Sequence, residues 1–99
     1  MDVLTYDLDT ARRIVLERLK NYRAKVYLFG SQAAGKARAY SDIDVAVLPF
    51  QTMPGSALSE LREELEESDI VRNVDVVDLS EVDEAFRQRV EKEGILWKE

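Results

Sequence analysis

Residues 42–48 (DIDVAVL) constrain this chain most, because apolar and polar side chains alternate there with the two-residue period of a β-strand. In a strand, residues two apart point to the same side and lie about 6.6 Å apart. Asp42 and Asp44 are therefore expected on one face, and Ile43 with the two following valines on the core face. Two neighbouring carboxylates repel each other, and a bound cation keeps both ionised. The segment predicts either a solvated strand edge or a cation site.

A second apolar segment, residues 25–29 (KVYLF), is predicted to be a buried strand that stops at Gly30. A short helix over 31–37 would follow it. Backbone N–H groups at such a turn bind anions, and a glycine lets a phosphate approach the backbone closely. We therefore expect Gly30 and Ser31 to bind phosphate, with the serine hydroxyl as a further donor. The glycine spacing is not that of a P-loop, and a Gly-Ser pair alone is more often a plain turn.

A third carboxylate lies on the next predicted strand, residues 74–79 (VDVVDL). If this strand neighbours the first pair of aspartates, Asp75 joins Asp42 and Asp44, whereas Asp78 falls on the other face and is the weaker candidate. Carboxylate oxygens suit Mg²⁺, which completes its shell with water and substrate phosphates. Three of them can hold two metals about 3.5–4 Å apart for phosphoryl transfer. Because the chain has no histidine, Asp75 is also the expected proton acceptor.

Two residues between the glycine turn and the aspartates are secondary candidates. Lys36 could contact the phosphates, and Ser41 could hold Asp42 through a hydrogen bond. Each has an ordinary explanation as well, since surface lysines are usually solvated and serines often cap turns.

Composition excludes several classes of chemistry. The chain has 99 residues, no cysteine, no histidine and a net charge of −6, so thiol nucleophiles, Cys-based metal sites and histidine bases are absent. The length favours one domain over residues 1–99. A negative domain lacks the field that autonomous nucleic-acid binding requires. No apolar run approaches the roughly 20 residues that span a bilayer, and no signal-peptide pattern opens the chain, so we expect a cytoplasmic location.

Hydrophobic periodicity predicts helices around these strands. An amphipathic helix is predicted over 8–22, which includes Tyr22, and another between about Ser56 and Ser68. Ser80 with Asp83 resembles a capping box before a final helix. The remaining predicted features are a loop over 49–55, the last helix's apolar stripe of Val82, Phe86 and Val90, its end at Gly94, and a short strand in ILW (95–97). This order predicts an α+β fold in which helices cover a small sheet.

The combined pattern resembles a known signature. Gly30 and Ser31, then ten residues, then Asp42-Ile43-Asp44 is similar to the DNA polymerase β-like nucleotidyltransferase superfamily, and GSQAAGKARAYSDIDVAV to its minimal nucleotidyltransferases. VDVVDL resembles that family's third-aspartate strand, and FRQRVEKEGILW its closing helix and strand. The match covers most of the chain from about residue 25. It implies a mixed sheet of three to four strands, with Gly30 and Ser31 holding a triphosphate.

The same resemblance implies that Asp42, Asp44 and Asp75 ligate two magnesium ions. Members of the superfamily transfer a nucleoside monophosphate from an NTP to a hydroxyl. The minimal ones are commonly antitoxins that adenylylate a tyrosine of a HEPN-domain RNase toxin, so ATP and a HEPN toxin are the implied partners. Many relatives have arginine where this chain has Gln32 and Ala34.

Two other functions remain open at this stage. A catalytically weak or inactive module could bind a nucleotide and neutralise a partner protein by contact alone. A purely structural domain is the third alternative. The sequence also leaves open which NTP is used and whether copies of the chain form a homo-oligomer.

Overall fold

The computed structural model describes residues 2–35 and 41–99. The elements are α1 (Val3–Leu19), β1 (Ala24–Phe29), α2 (Ser31–Ala34), β2 (Ile43–Pro49), α3 (Ala57–Glu67), β3 (Val74–Asp78), α4 (Glu84–Glu93) and β4 (Ile95–Lys98). Within these two ranges, no helix is both long enough and apolar enough to cross a membrane.

The strands form one mixed sheet in the order β3-β2-β1-β4. β1 is antiparallel to both β2 and β4, whereas β2 and β3 are parallel. A parallel pair requires a crossover connection, and α3 supplies it between β2 and β3. The predicted α+β fold with a small mixed sheet is confirmed.

Helices cover both faces of the sheet. On the face packed against α1 and α3, the core contains Ile43, Val45 and Val47, as the alternation in β2 predicts. On the opposite face, Ala46 and Leu48 pack in a smaller cluster with Val90 of α4. Asp44 belongs to this second face by its position in the strand. The smaller core therefore leaves room beside it for polar side chains at the end of the sheet.

The first helix differs from its prediction at both ends. It begins at Val3 rather than at residue 8, because the Asp2 carboxylate accepts a hydrogen bond from the Thr5 backbone N–H at 2.7 Å and caps the first turn. It ends at Leu19, so Tyr22 lies beyond it. The Tyr22 side chain nevertheless packs against the larger core, which explains its place in the apolar pattern.

The last helix also begins differently from its prediction. Ser80 does not cap it; the N-cap is Asp83, which accepts a hydrogen bond from the Phe86 N–H at 2.7 Å. Ser80 instead donates through its N–H and hydroxyl to Asp78, which tightens the turn after β3. Val82 thus precedes α4, although it still packs on the smaller core. The end at Gly94 and the strand after it are confirmed.

Candidate active site

The predicted aspartates lie at one end of the sheet. Asp44, near the start of β2, is paired with Phe29 at the end of β1 on one side and with Asp75 of β3 on the other. Asp42 directly precedes β2. Partners in register on neighbouring strands share a face, and so do residues two apart. The fold therefore brings Asp42, Asp44 and Asp75 to the same face at the same end.

The electrostatics of Asp44 reflect this placement. Its side chain is half-buried, whereas Asp42 and Asp75 are exposed. Burial raises the pKa of Asp44, and the negative charges of Asp75 and then Asp42 raise this pKa further. A cation at this point would relieve both the desolvation and the repulsion.

The carboxylates of Asp42, Asp44 and Asp75 do not form a preassembled metal site. Across residues 2–35 and 41–99, no three acidic, histidine or cysteine side chains form a group that could hold a metal. The Asn73 side-chain amide donates to Asp75 Oδ1 at 3.1 Å, which gives that carboxylate a protein partner. The donor chemistry is still the all-oxygen set that a hard divalent cation requires. The residues present thus fit such a cation, with side-chain rearrangement needed to bind it.

Gly30 lies directly against Asp44. Its φ of 76° and ψ of −154° fall in a region that essentially only glycine adopts. A Cβ built at Gly30 would overlap Asp44 Oδ2 and would stand 3.2 Å from Asp44 Cγ. The absence of a side chain is what allows the turn into α2 to touch the carboxylate. Gly30 thus lies beside Asp44, and the half-buried Ser31 follows it as the first residue of α2.

Gln32 connects the two halves of the motif. Its side-chain amide donates to the backbone carbonyl of Ser41 at 3.2 Å, immediately before Asp42. Sequence reasoning noted Gln32 only as a replacement for an arginine and missed this contact. Ser41 is half-buried and directly precedes Asp42, and its hydrogen bond to that aspartate stays a prediction. Lys36, the other secondary candidate, lies outside the described residues.

A buried ion pair fixes the start of β3. The fully buried Asp7 of α1 accepts from Arg72 Nη1 at 2.9 Å and from the backbone N–H of Arg72 at 3.2 Å and Val71 at 3.3 Å. This anchors the segment just before Asp75. The sequence carried a usable signal: Asp7 occupies the helical face of Ala11 and Ile14, where a carboxylate requires a partner.

Asp78 does not belong to this group. It pairs with Val47, further along β2 than Asp44, and its Oδ1 accepts both hydrogen bonds from Ser80. Its assignment as the weaker candidate agrees with this position.

Comparisons with known proteins identify the family to which this fold belongs. The family described as polymerase beta, nucleotidyltransferase, matches residues 15–99. In Haemophilus influenzae, a protein named probable protein adenylyltransferase MntA is 30% identical over 99 residues, which cover 100% of this chain and 85% of that protein.

Two solved structures resemble the fold at a similar level of identity. A toxin–antitoxin complex with AMP-PNP contains a chain that is 31% identical with a TM-score of 0.68, over 87% of this chain and 71% of that one. A tri-AMPylated Shewanella oneidensis HEPN toxin in complex with its MNT antitoxin gives 27% identity and a TM-score of 0.65, over 94% of this chain and 70% of that one. This chain therefore belongs to the polymerase β nucleotidyltransferase family, among its minimal nucleotidyltransferases (MNT).

Proposed function

We propose that this protein transfers AMP from ATP to a hydroxyl of a partner protein, a tyrosine of a HEPN-type toxin, and thereby acts as an antitoxin. The observation that carries this proposal is the contact between the Gly30 turn and Asp44, with Asp75 paired beside it in register. The turn proposed to bind phosphate and the carboxylates proposed to bind cations thus lie together. The relatives named as adenylyltransferase or bound to an AMPylated HEPN toxin support the same activity.

The cofactor in this proposal is a pair of Mg²⁺ ions. Asp42, Asp44 and Asp75 would hold them, because these residues supply only oxygen donors on one face. When bound, two such ions stabilise charge on the attacking hydroxyl and on the leaving pyrophosphate. Both the number and the identity of the ions belong to the proposal.

The chain's own groups orient the substrates. The backbone N–H groups of the Gly30–Ser31 turn and the Ser31 hydroxyl would bind the triphosphate. The acceptor oxygen attacks the α-phosphorus, forming a new P–O bond while the bond to pyrophosphate breaks. The acceptor's proton passes to the Asp75 carboxylate, since the chain offers no histidine.

The acceptor is proposed to come from another protein. A net charge of −6 opposes binding to an RNA or DNA backbone, whereas it does not oppose docking of a protein. A HEPN toxin in the cytoplasm fits this requirement and matches the partner in the Shewanella oneidensis complex.

Transfer of label from α-labelled ATP tests the proposal. With Mg²⁺ and the protein encoded beside this gene, we expect label on that neighbour. Asp42→Asn or Asp44→Asn should reduce transfer by about 100-fold or more, the scale of losing one preorganised electrostatic contact. Asp78→Asn is the matched control, because Asp78 is an aspartate outside the group and should leave transfer unchanged. Full activity in either site variant would contradict the assignment.

A contact-only antitoxin remains the second candidate. It is favoured by Gln32, whose amide is bonded to Ser41, and by the neutral Ala34, because neither position offers the phosphates a cation. Such a protein would neutralise its partner with the aspartates removed. An active transferase would no longer neutralise its partner once the aspartates are removed.

A further inference from the structure

A pocket of about 340 Å³ adjoins the Gly30–Ser31 turn. We call it the α4 pocket, because Phe86, Arg89 and Glu93 of that helix line it together with Phe29 of β1. Its volume is in the range of small-molecule sites, which begin at about 300 Å³. The pocket shares Gly30 and Ser31 with the turn assigned to the triphosphate.

The chemistry of the α4 pocket suits a planar ring. The Phe29 and Phe86 rings meet edge to face, with centroids 5.7 Å apart and planes at 87°. The Arg89 guanidinium carbon lies 5.6 Å from the Phe86 centroid. In the part of the chain that the structure describes, no carboxylate is within ion-pairing distance of Arg89. Aromatic faces and guanidinium groups are the side chains on which nucleobases stack.

The α4 pocket is placed to bind part of the nucleotide rather than the acceptor hydroxyl. The Gly30–Ser31 turn follows β1, and α4 contacts that same strand. Asp75 instead lies on β3, which forms one edge of the sheet and is separated from β1 by β2. The pocket therefore continues from the triphosphate side of the site and leaves the Asp75 side to the acceptor hydroxyl. A ligand that fills both the turn and the pocket has phosphates at one end and a flat ring at the other.

We infer that the α4 pocket binds the nucleobase of the NTP, with Phe86 and Arg89 as its stacking residues. This inference rests on the proposed function, since it assumes a nucleotide at Gly30 and Ser31. Stacking tolerates every base because each has a π-face, so ATP and GTP should depend on Phe86 to a similar degree. Stacking on Phe86 therefore does not discriminate between ATP and GTP.

The test compares two ligands that share the phosphates and differ in the base. Binding of ATP and of inorganic tripolyphosphate, each with Mg²⁺, is measured by titration calorimetry. Phe86→Leu keeps apolar volume but removes the π-face, and Arg89→Gln removes the cation from an exposed side chain. Each should weaken ATP binding by about 10-fold while tripolyphosphate binds as before.

Phe50 and Lys25 provide a matched control. They form a comparable cation–π pair at 5.9 Å, at the opposite end of β1 and β2 from Gly30. Phe50→Leu and Lys25→Gln should leave binding of both ligands unchanged.

The outcomes separate this inference from the proposed function. If the wild-type protein binds ATP and transfers AMP, but Phe86→Leu and Arg89→Gln bind ATP equally well, the base lies elsewhere and only the inference is overturned. The inference is also overturned if each variant loses both ligands to the same extent, because the residues then support the turn. If the wild-type protein binds neither ligand, the proposed function is overturned as well.

Discussion

At the scale of single residues, Gly30 and Asp44 depend on each other. The sequence predicted that Gly30 ends one strand and that Asp44 lies near the start of the next. The alternation in residues 42–48 was enough to place Asp44 away from the larger core. It could not show that the missing Cβ of Gly30 makes room for the carboxylate, because that contact arises only when β1 and β2 pair.

Gly30→Ala should remove activity and destabilise the fold. The added methyl would overlap Asp44 and force alanine into a backbone region that costs about 1–3 kcal/mol. Urea unfolding measures the free energy, and the label-transfer assay measures activity. Gly55→Ala is the control, because a Cβ there meets open space. Equal behaviour of the two variants would contradict the contact between Gly30 and Asp44.

Asp44→Asn should stabilise the metal-free protein near neutral pH. Since the folded-state pKa of Asp44 is raised, the native state binds its proton more tightly than the unfolded chain does. Stability is therefore lost as pH rises through the raised pKa, and the neutral amide avoids this loss. In EDTA at pH 7, the variant should melt at a higher temperature than the wild type. The difference should vanish below the ordinary aspartate pKa of about 3.9; a less stable variant at pH 7 would contradict this.

At the scale of elements, strand segments were easier to predict than helix ends. The β2 and β3 segments were found to within one or two residues because alternation and apolar runs mark strands directly. The start of α1 was missed because the buried Asp7 interrupts the apolar stripe. Its partner Arg72 is 65 positions away, so no local pattern could pair them. For the same reason, the sequence did not reveal that the Asp7–Arg72 ion pair anchors the segment before Asp75.

Asp7→Ala should destabilise the protein by about 3–5 kcal/mol, because it leaves the guanidinium of Arg72 buried without its carboxylate. Urea unfolding measures the change. Glu64→Ala, which breaks the more exposed Arg18–Glu64 pair, should cost no more than about 1 kcal/mol. A similar small loss in both variants would show that the buried pair does not anchor the segment before β3.

At the scale of the whole molecule, topology explains why so short a motif defines a site. The order β3-β2-β1-β4 places the end of β1 and the starts of β2 and β3 together, so residues distant in sequence meet at one end. The sequence predicted Gly30, Asp42 and Asp44 through their spacing, and it predicted Asp75 through its place in the next predicted strand, on condition that the two strands are neighbours. It could not predict the α4 pocket, because Phe86 is only part of an apolar stripe until α4 packs beside the turn.

The acidic character of the whole chain bears on its partner. With 20 acidic against 14 basic side chains, the chain carries a negative net charge, which is the basis for proposing a protein rather than a nucleic acid as acceptor. Neutralisation of that partner could follow either from AMP transfer or from binding alone.

The RNase activity of the proposed HEPN-type partner, the protein encoded beside this gene, separates these two routes most directly when it is measured with ATP and Mg²⁺. Wild-type protein should abolish this activity. The Asp42→Asn/Asp44→Asn double variant should still co-elute with the partner in gel filtration but leave its RNase activity intact. If the double variant silences the partner as completely as the wild type, and does so without ATP, the protein acts by contact and the proposed transferase function is wrong.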